Sequence, residues 1–122
     1  MKPKLRVWVT FGDDFKFGDG RARLLALIDE HGSLRGAAEE FEMSYRHAWG
    51  YLRELERAAG FKFVERARGG GPHSGMRLTA AGRQFVERYR RFRAGLDSAM
   101  RRQFERNFQP RGAPRRRRKE TV

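Results

Sequence analysis

Two serines, Ser33 and Ser44, each head a short run with helical spacing, and only Glu42 and Met43 lie between the end of the first run, near Phe41, and the start of the second. So short a connection forces the two helices to cross at once, which is the geometry of a helix-turn-helix. Ala37 and Ala38 in the first run are small enough to let the second lie close. The second run repeats Ala48, Trp49, Leu52 and Leu55 on one face and meets a stop signal at Gly60. A serine hydroxyl that accepts a backbone N–H suits the start of each helix.

The flanking sequence completes a recognisable pattern. Leu5, Val7, Val9 and Phe11 alternate with Arg6, Trp8 and Thr10, and Phe15-Lys16-Phe17 resumes the alternation after Gly12-Asp13-Asp14, predicting a β-hairpin. From Asp19, an expected N-cap, the period becomes helical through Leu24, Leu25, Ile28 and His31 to a stop at Gly32. Beyond the third helix, Phe61 to Arg66 and Met76-Arg77-Leu78 read as two strands joined by Gly69-Gly70-Gly71-Pro72-His73-Ser74-Gly75, the pattern of a wing. Thr79 is placed to cap a last helix from Ala80 to about Phe108, ~43 Å long at 1.5 Å per residue. That exceeds the ~13 Å radius of gyration of a domain of about 100 residues. Its residues Phe85, Tyr89, Phe92, Leu96 and Ala99 form an apolar seam suited to a neighbouring helix. The expected fold class is therefore mainly α with small β elements: a winged helix-turn-helix with an N-terminal β-hairpin and a long C-terminal dimerisation helix. Residues 1–108 are expected to form this domain, with the dimerisation helix at about 80–108, and 109–122 a disordered basic tail.

Charge narrows the partner. The 122 residues carry 28 Lys and Arg against 15 Asp and Glu, a formal net charge of +13. Arg111, Arg115, Arg116, Arg117, Arg118 and Lys119 supply part of it, offset there only by Glu120, and the rest of the chain remains basic. Such an excess favours a polyanion, nucleic acid first and an anionic membrane surface second. With no cysteine there is no disulfide framework and no thiolate metal site. No apolar run approaches a membrane span or a signal peptide, so a cytoplasmic location is expected. Catalysis is disfavoured: His31, His47 and His73 lack the short spacings of zinc motifs, and no nucleophile elbow or phosphate-loop motif occurs.

In a helix-turn-helix the second helix turns one face to the core and the other to a groove. With Trp49, Leu52 and Leu55 inward, Tyr45, Arg46, His47, Gly50, Arg53 and Arg57 face outward. The major groove of B-DNA, about 12 Å wide, admits such a helix, and Arg46 can pair with guanine O6 and N7. Ser33 and Ser44 would aim helix N-termini at phosphates. Arg66, Arg68, Gly69, Gly70 and Gly71 would bring cations and a bare backbone to phosphate or a minor groove. Each feature also has a plainer reading. Serines cap helices in any protein, glycine runs serve as linkers, and Arg53 can pair with Glu56, or Arg57 with Glu54, on a solvated face.

The segment Met43-Ser44-Tyr45-Arg46-His47-Ala48-Trp49, with Leu52-Arg53-Glu54-Leu55, Val64-Glu65-Arg66-Ala67-Arg68-Gly69-Gly70-Gly71 and Leu78-Thr79-Ala80-Ala81-Gly82, resembles the N-terminal domain of ModE-type molybdate-dependent regulators. The likeness spans residues 5 to 100, and LysR-type DNA-binding domains are a more distant one. It implies a winged helix-turn-helix that dimerises through its first and last helices, here through Phe85, Tyr89, Phe92 and Leu96, and binds a palindromic operator in double-stranded DNA. Ser44, Tyr45 and Arg46 would begin the recognition helix. Two departures stand out. Nothing in this sequence matches the molybdate-binding module, so no cofactor and no small-molecule effector site are expected. Glu42 stands where such domains commonly carry glycine, a position that often requires positive φ. The rival function is a nonspecific nucleoid-type or RNA-binding protein, since charge alone supplies affinity.

Overall fold

A computed structural model describes residues 1–67 and 75–108. In chain order the elements are β1 (Val9–Phe11), β2 (Phe15–Phe17), α1 (Asp19–His31), α2 (Leu34–Glu40), α3 (Tyr45–Ala59), β3 (Val64–Arg66), β4 (Met76–Leu78) and α4 (Ala80–Phe108). This is the expected winged helix-turn-helix with its N-terminal hairpin and long last helix. The described residues divide into two compact units, Val7–Tyr89 and a second that joins residues 1–6 to 90–108. Arg68, Gly69, Gly70, Gly71 and the basic tail lie outside the described residues.

In the larger unit, β1 pairs antiparallel with β2, Val9 opposite Phe17 and Phe11 opposite Phe15. The first strand is shorter than the alternation from Leu5 suggests. Gly18 already caps α1 and ends β2 after three residues, so only three positions of β1 find partners. Asp19 is thus not the N-cap; it is the first helical residue, and its carboxylate accepts the Tyr89 hydroxyl at 2.6 Å. An acidic group in the first turn still suits the helix dipole. His31, expected on the buried stripe, is exposed, and its Nε2 lies 2.7 Å from Glu40 Oε1 at the end of α2.

The core gathers Leu24, Leu25 and Ile28 of α1, Ala37 and Ala38 of α2, and Ala48, Leu52 and Leu55 of α3. Phe17 and Phe63 are fully buried, each worth about 1.5–3 kcal/mol on transfer from water. Phe85 packs among Phe11, Phe17 and Phe63, with centroids 5.4, 4.9 and 5.5 Å away. Tyr89, 5% exposed, meets Phe17 edge-on. The seam on α4 therefore divides. Phe85 and Tyr89 serve the core of their own chain, whereas Phe92 remains 46% exposed and Leu96 half-buried.

The wing strands pair antiparallel, Val64 opposite Leu78 and Arg66 opposite Met76. Phe61 stands before the ladder, because Phe61 and Phe63 turn their stacked rings to packing. Backbone bonds fix the strands to the helical body: Met76 N–H donates to Gly32 O and Thr79 N–H to Phe63 O, each at 2.9 Å. Asp29 of α1 accepts Leu78 N–H at 3.1 Å and both its oxygens meet the Arg83 guanidinium. Thr79 caps α4 as expected, accepting from Gly82 N–H at 2.9 Å and donating to Lys62 O at 2.7 Å. A Cβ on Gly82 would fall 2.4 Å from Phe63 O, so only glycine permits this approach of α4 to the wing.

In the second unit, Arg93 donates to Asp97 at 2.8 Å and to Leu5 O at 2.7 Å, tying the N-terminal residues to α4. Phe104 and Phe108 stack one turn apart.

Candidate nucleic-acid interface

The turn between α2 and α3 is made by hydrogen bonds that close the first helix. Met43 N–H reaches back to Ala38 O and Glu42 N–H to Glu39 O, the paired bonds of a Schellman motif. That motif needs its middle residue in the left-handed region, and Glu42 has φ 58°, alone among the described non-glycine residues. The turn thus takes the left-handed conformation with a side chain that strains it, at a cost of about 1–2 kcal/mol.

Both helices start on the expected serines. Ser33 Oγ accepts Gly36 N–H at 2.9 Å and Ser44 Oγ accepts His47 N–H at 3.0 Å. Each hydroxyl keeps its own hydrogen for an outside acceptor. Two residues after each cap stands an exposed arginine, Arg35 on α2 and Arg46 on α3. Tyr45, 41% exposed, is held between the Arg35 guanidinium, 4.6 Å from its ring centre, and the Trp49 ring, perpendicular to it with centroids 6.4 Å apart. Trp49 is half-buried, a brace for the exposed face as well as part of the packing.

Arg46, His47, Gly50, Arg53 and Arg57 are all exposed on the outer side of α3. The pairings that would neutralise them do not form. Glu56 turns away from Arg53 and accepts Phe63 and Val64 N–H at 2.8 and 3.2 Å, joining α3 to the start of the wing. Glu65 is held by Arg77 at 2.9 Å, and Glu40 by His31 and Arg23. Among the described residues, Arg46, Arg53, Arg57, Lys62 and Arg66 therefore enter no ion pair. A groove of about 630 Å³ runs between the helix starts and the wing, bordered by Ser33, Arg35, Tyr45, Lys62, Arg66 and Met76.

Ser33, Ser44, Tyr45, Arg46, His47, Arg53 and Arg66 thus lie on described surface of the larger unit, while Arg68 and the glycines Gly69, Gly70 and Gly71 fall outside the described residues. Sequence reading missed Arg35 and Lys62. The first was within reach, because Ser33-Leu34-Arg35 repeats the spacing of Ser44-Tyr45-Arg46. Lys62 carried no signal, as its place on the groove follows from the long-range bond between its carbonyl and Thr79.

Comparisons with known proteins agree with this geometry. The sequence profile described as "Bacterial regulatory helix-turn-helix protein, lysR family" matches residues 20–83. The chain is 36% identical over 88 residues to the molybdenum transport protein ModE of Azotobacter vinelandii, covering 72% of this chain and 33% of that protein. It is 33% identical over 85 residues to the molybdenum-pterin-binding protein MopA of Rhodobacter capsulatus, covering 70% and 32%. The chain thus spans about a third of the length of these curated relatives. Among solved structures, a complex of the CbnR DNA-binding domain with DNA superposes with a TM-score of 0.54 at 27% identity, covering 70% of this chain and 93% of that one. CbnR itself, a LysR family transcriptional regulator, gives 0.53 at 25% identity, covering 71% and 29%.

Proposed function

This chain belongs to the lysR family of bacterial regulatory helix-turn-helix proteins, and from that premise we propose that it is a sequence-specific transcription regulator that binds a palindromic operator as a homodimer. The observation that carries the reading is the outer face of α3. Ser44 caps its start, its arginines are exposed, and Glu56 and Glu65 are engaged elsewhere. Arg46, in the first turn, extends a forked donor to base edges; Ser33, Ser44, Arg35, Lys62 and Arg66 follow the phosphates on either side. Arg68 and the glycines Gly69, Gly70 and Gly71 extend the wing contact to the adjacent groove. A role of this kind requires no catalysis and places the chain with the genome, in the cytoplasm.

The experiment is a selection from random double-stranded DNA, followed by titration of the selected operator against a scrambled one. A specific regulator gives a ratio of at least about 10³ at physiological salt. A ratio near one assigns the chain to nonspecific, nucleoid-type binding. The names of two relatives refer to molybdenum. We assign no oxyanion or other small-molecule site to this segment, so added molybdate should leave the operator titration unchanged.

A further inference from the structure

One arginine in the larger unit sits where local rules disfavour it. Arg21 is the third residue of α1, a cation at the positive end of a helix dipole. Its Nε is buried and, among the described residues, has no hydrogen-bond partner. What holds it is a sandwich. The guanidinium carbon lies 4.3 Å from the centre of the Phe15 ring on β2 and 4.0 Å from that of Tyr51 on α3, and Nη1 donates to Lys16 O at 2.9 Å. A flat, weakly hydrated guanidinium stacks on two aromatic faces as a compact ammonium does not.

The stack continues onto the DNA-facing surface. Tyr51 meets the His47 ring edge-on, 5.5 Å between centroids at 83°. His47, Tyr51, Gly50, Arg53, Glu54 and Arg57 border one shallow depression on the outer side of α3. A Cβ on Gly50 would meet nothing within 4 Å, so the face opens directly beside the histidine. The Ser44 cap fixes the backbone of His47, and Tyr51 packs against its ring. An exposed side chain that must meet a base edge gains selectivity when its rotamer is set beforehand.

We infer that Arg21 is a positioning residue for base recognition: clamped between Phe15 and Tyr51, it holds Tyr51 against His47, so that the N-terminal hairpin fixes the side chain with which His47 enters the major groove. The inference rests on the DNA-reading role proposed above and adds His47 as a specificity determinant, with Arg21 behind it.

The test measures affinity for the selected operator and each of its single-base variants, using the full chain. His47→Ala should flatten discrimination at one base pair per half-site by about fivefold, the lower end of what a single base pair contributes. Arg21→Lys keeps the charge and should flatten the same base pair while affinity for scrambled DNA is unchanged. The double variant should lose no more than His47→Ala alone. Tyr51→Leu, which removes one wall and leaves Arg21 in place, should repeat the effect and serves if Arg21→Lys fails to fold. Arg21 and Tyr51 variants that melt earlier yet keep every base preference reduce the stack to a structural clamp and overturn the inference. So does a His47→Ala chain with unaltered preferences. A wild-type chain with no base preference overturns the proposed function itself, and this inference with it.

Discussion

Glu42 shows how a single residue can break a local rule while the fold keeps its shape. Its backbone occupies the left-handed region because the Schellman bonds from Glu42 and Met43 leave no other path between α2 and α3. Glycine there would relieve about 1–2 kcal/mol of strain but would lose about 0.4–1 kcal/mol to the freer unfolded chain. Glu42→Gly should therefore stabilise by about 0.5 kcal/mol, read as a rise in melting temperature of roughly 2–4 °C. Arg46 bears on the proposed function instead. It is exposed and in no ion pair, so Arg46→Ala should leave the melting temperature nearly unchanged. Operator binding should fall by about 1–3 kcal/mol, with preference relaxed at one base pair in each half-site and scrambled DNA little affected. Equal losses on both DNAs would make Arg46 a phosphate clamp. The serine caps and the outward set on α3 were legible because each depends on neighbours within one or two helical turns, and the left-handed turn at Glu42 was suggested by the family resemblance. The roles of Asp19, Glu56 and Arg21 were not legible, since their partners Tyr89, Phe63 and Tyr51 lie outside their own helices.

Helices declared themselves at the level of elements, and strands did so less well. The ends of α1 and α3 follow from glycines with φ 71° and 83°, and α4 begins on the Thr79 cap, all readable from sequence order. The hairpin and wing strands are three residues each, and their lengths are set by what pairs across from them rather than by their own alternation. The link between α3 and the wing is the clearest such dependence. Among the described residues, Glu56 supplies the acceptor for Phe63 and Val64 N–H, both part-buried. Glu56→Ala should cost about 1–3 kcal/mol, as two donors lose their carboxylate, whereas Glu56→Gln keeps an amide oxygen and should cost less. Chemical denaturation measures both. Because the wing borders the groove with Lys62 and Arg66, the alanine variant should also weaken operator and scrambled DNA together. An alanine variant with full stability would mean that water satisfies these donors and that the wing is held from β4 alone.

For the whole molecule, the proposed self-association and the charge would each leave a signature in a salt titration. Of the apolar seam on α4, Phe85 and Tyr89 are used by the core, whereas Phe92 is exposed and Leu96 and Ala99 are half-buried; the proposed homodimer is expected to use this stretch. Light scattering on the unaltered chain should give a dimer. Phe92→Glu combined with Leu96→Glu should give a monomer that retains helical circular dichroism, whereas Phe85→Glu would place a charge among four phenylalanines and should unfold the chain. Deleting residues 111–122 removes six cations and should weaken operator and scrambled DNA by similar factors, with the dimer intact. The two effects then separate on one plot. Each phosphate neutralised adds about 0.9 to the slope of log affinity against log salt, so a dimer on a palindrome carries twice the slope of one protomer on a half-site. The Phe92→Glu, Leu96→Glu chain should therefore bind a single half-site with half the wild-type slope and show no gain from the second half-site. If that chain instead keeps the full slope on the palindrome, the contact between protomers does not run through this stretch of α4, and the dimer must be sought on another face.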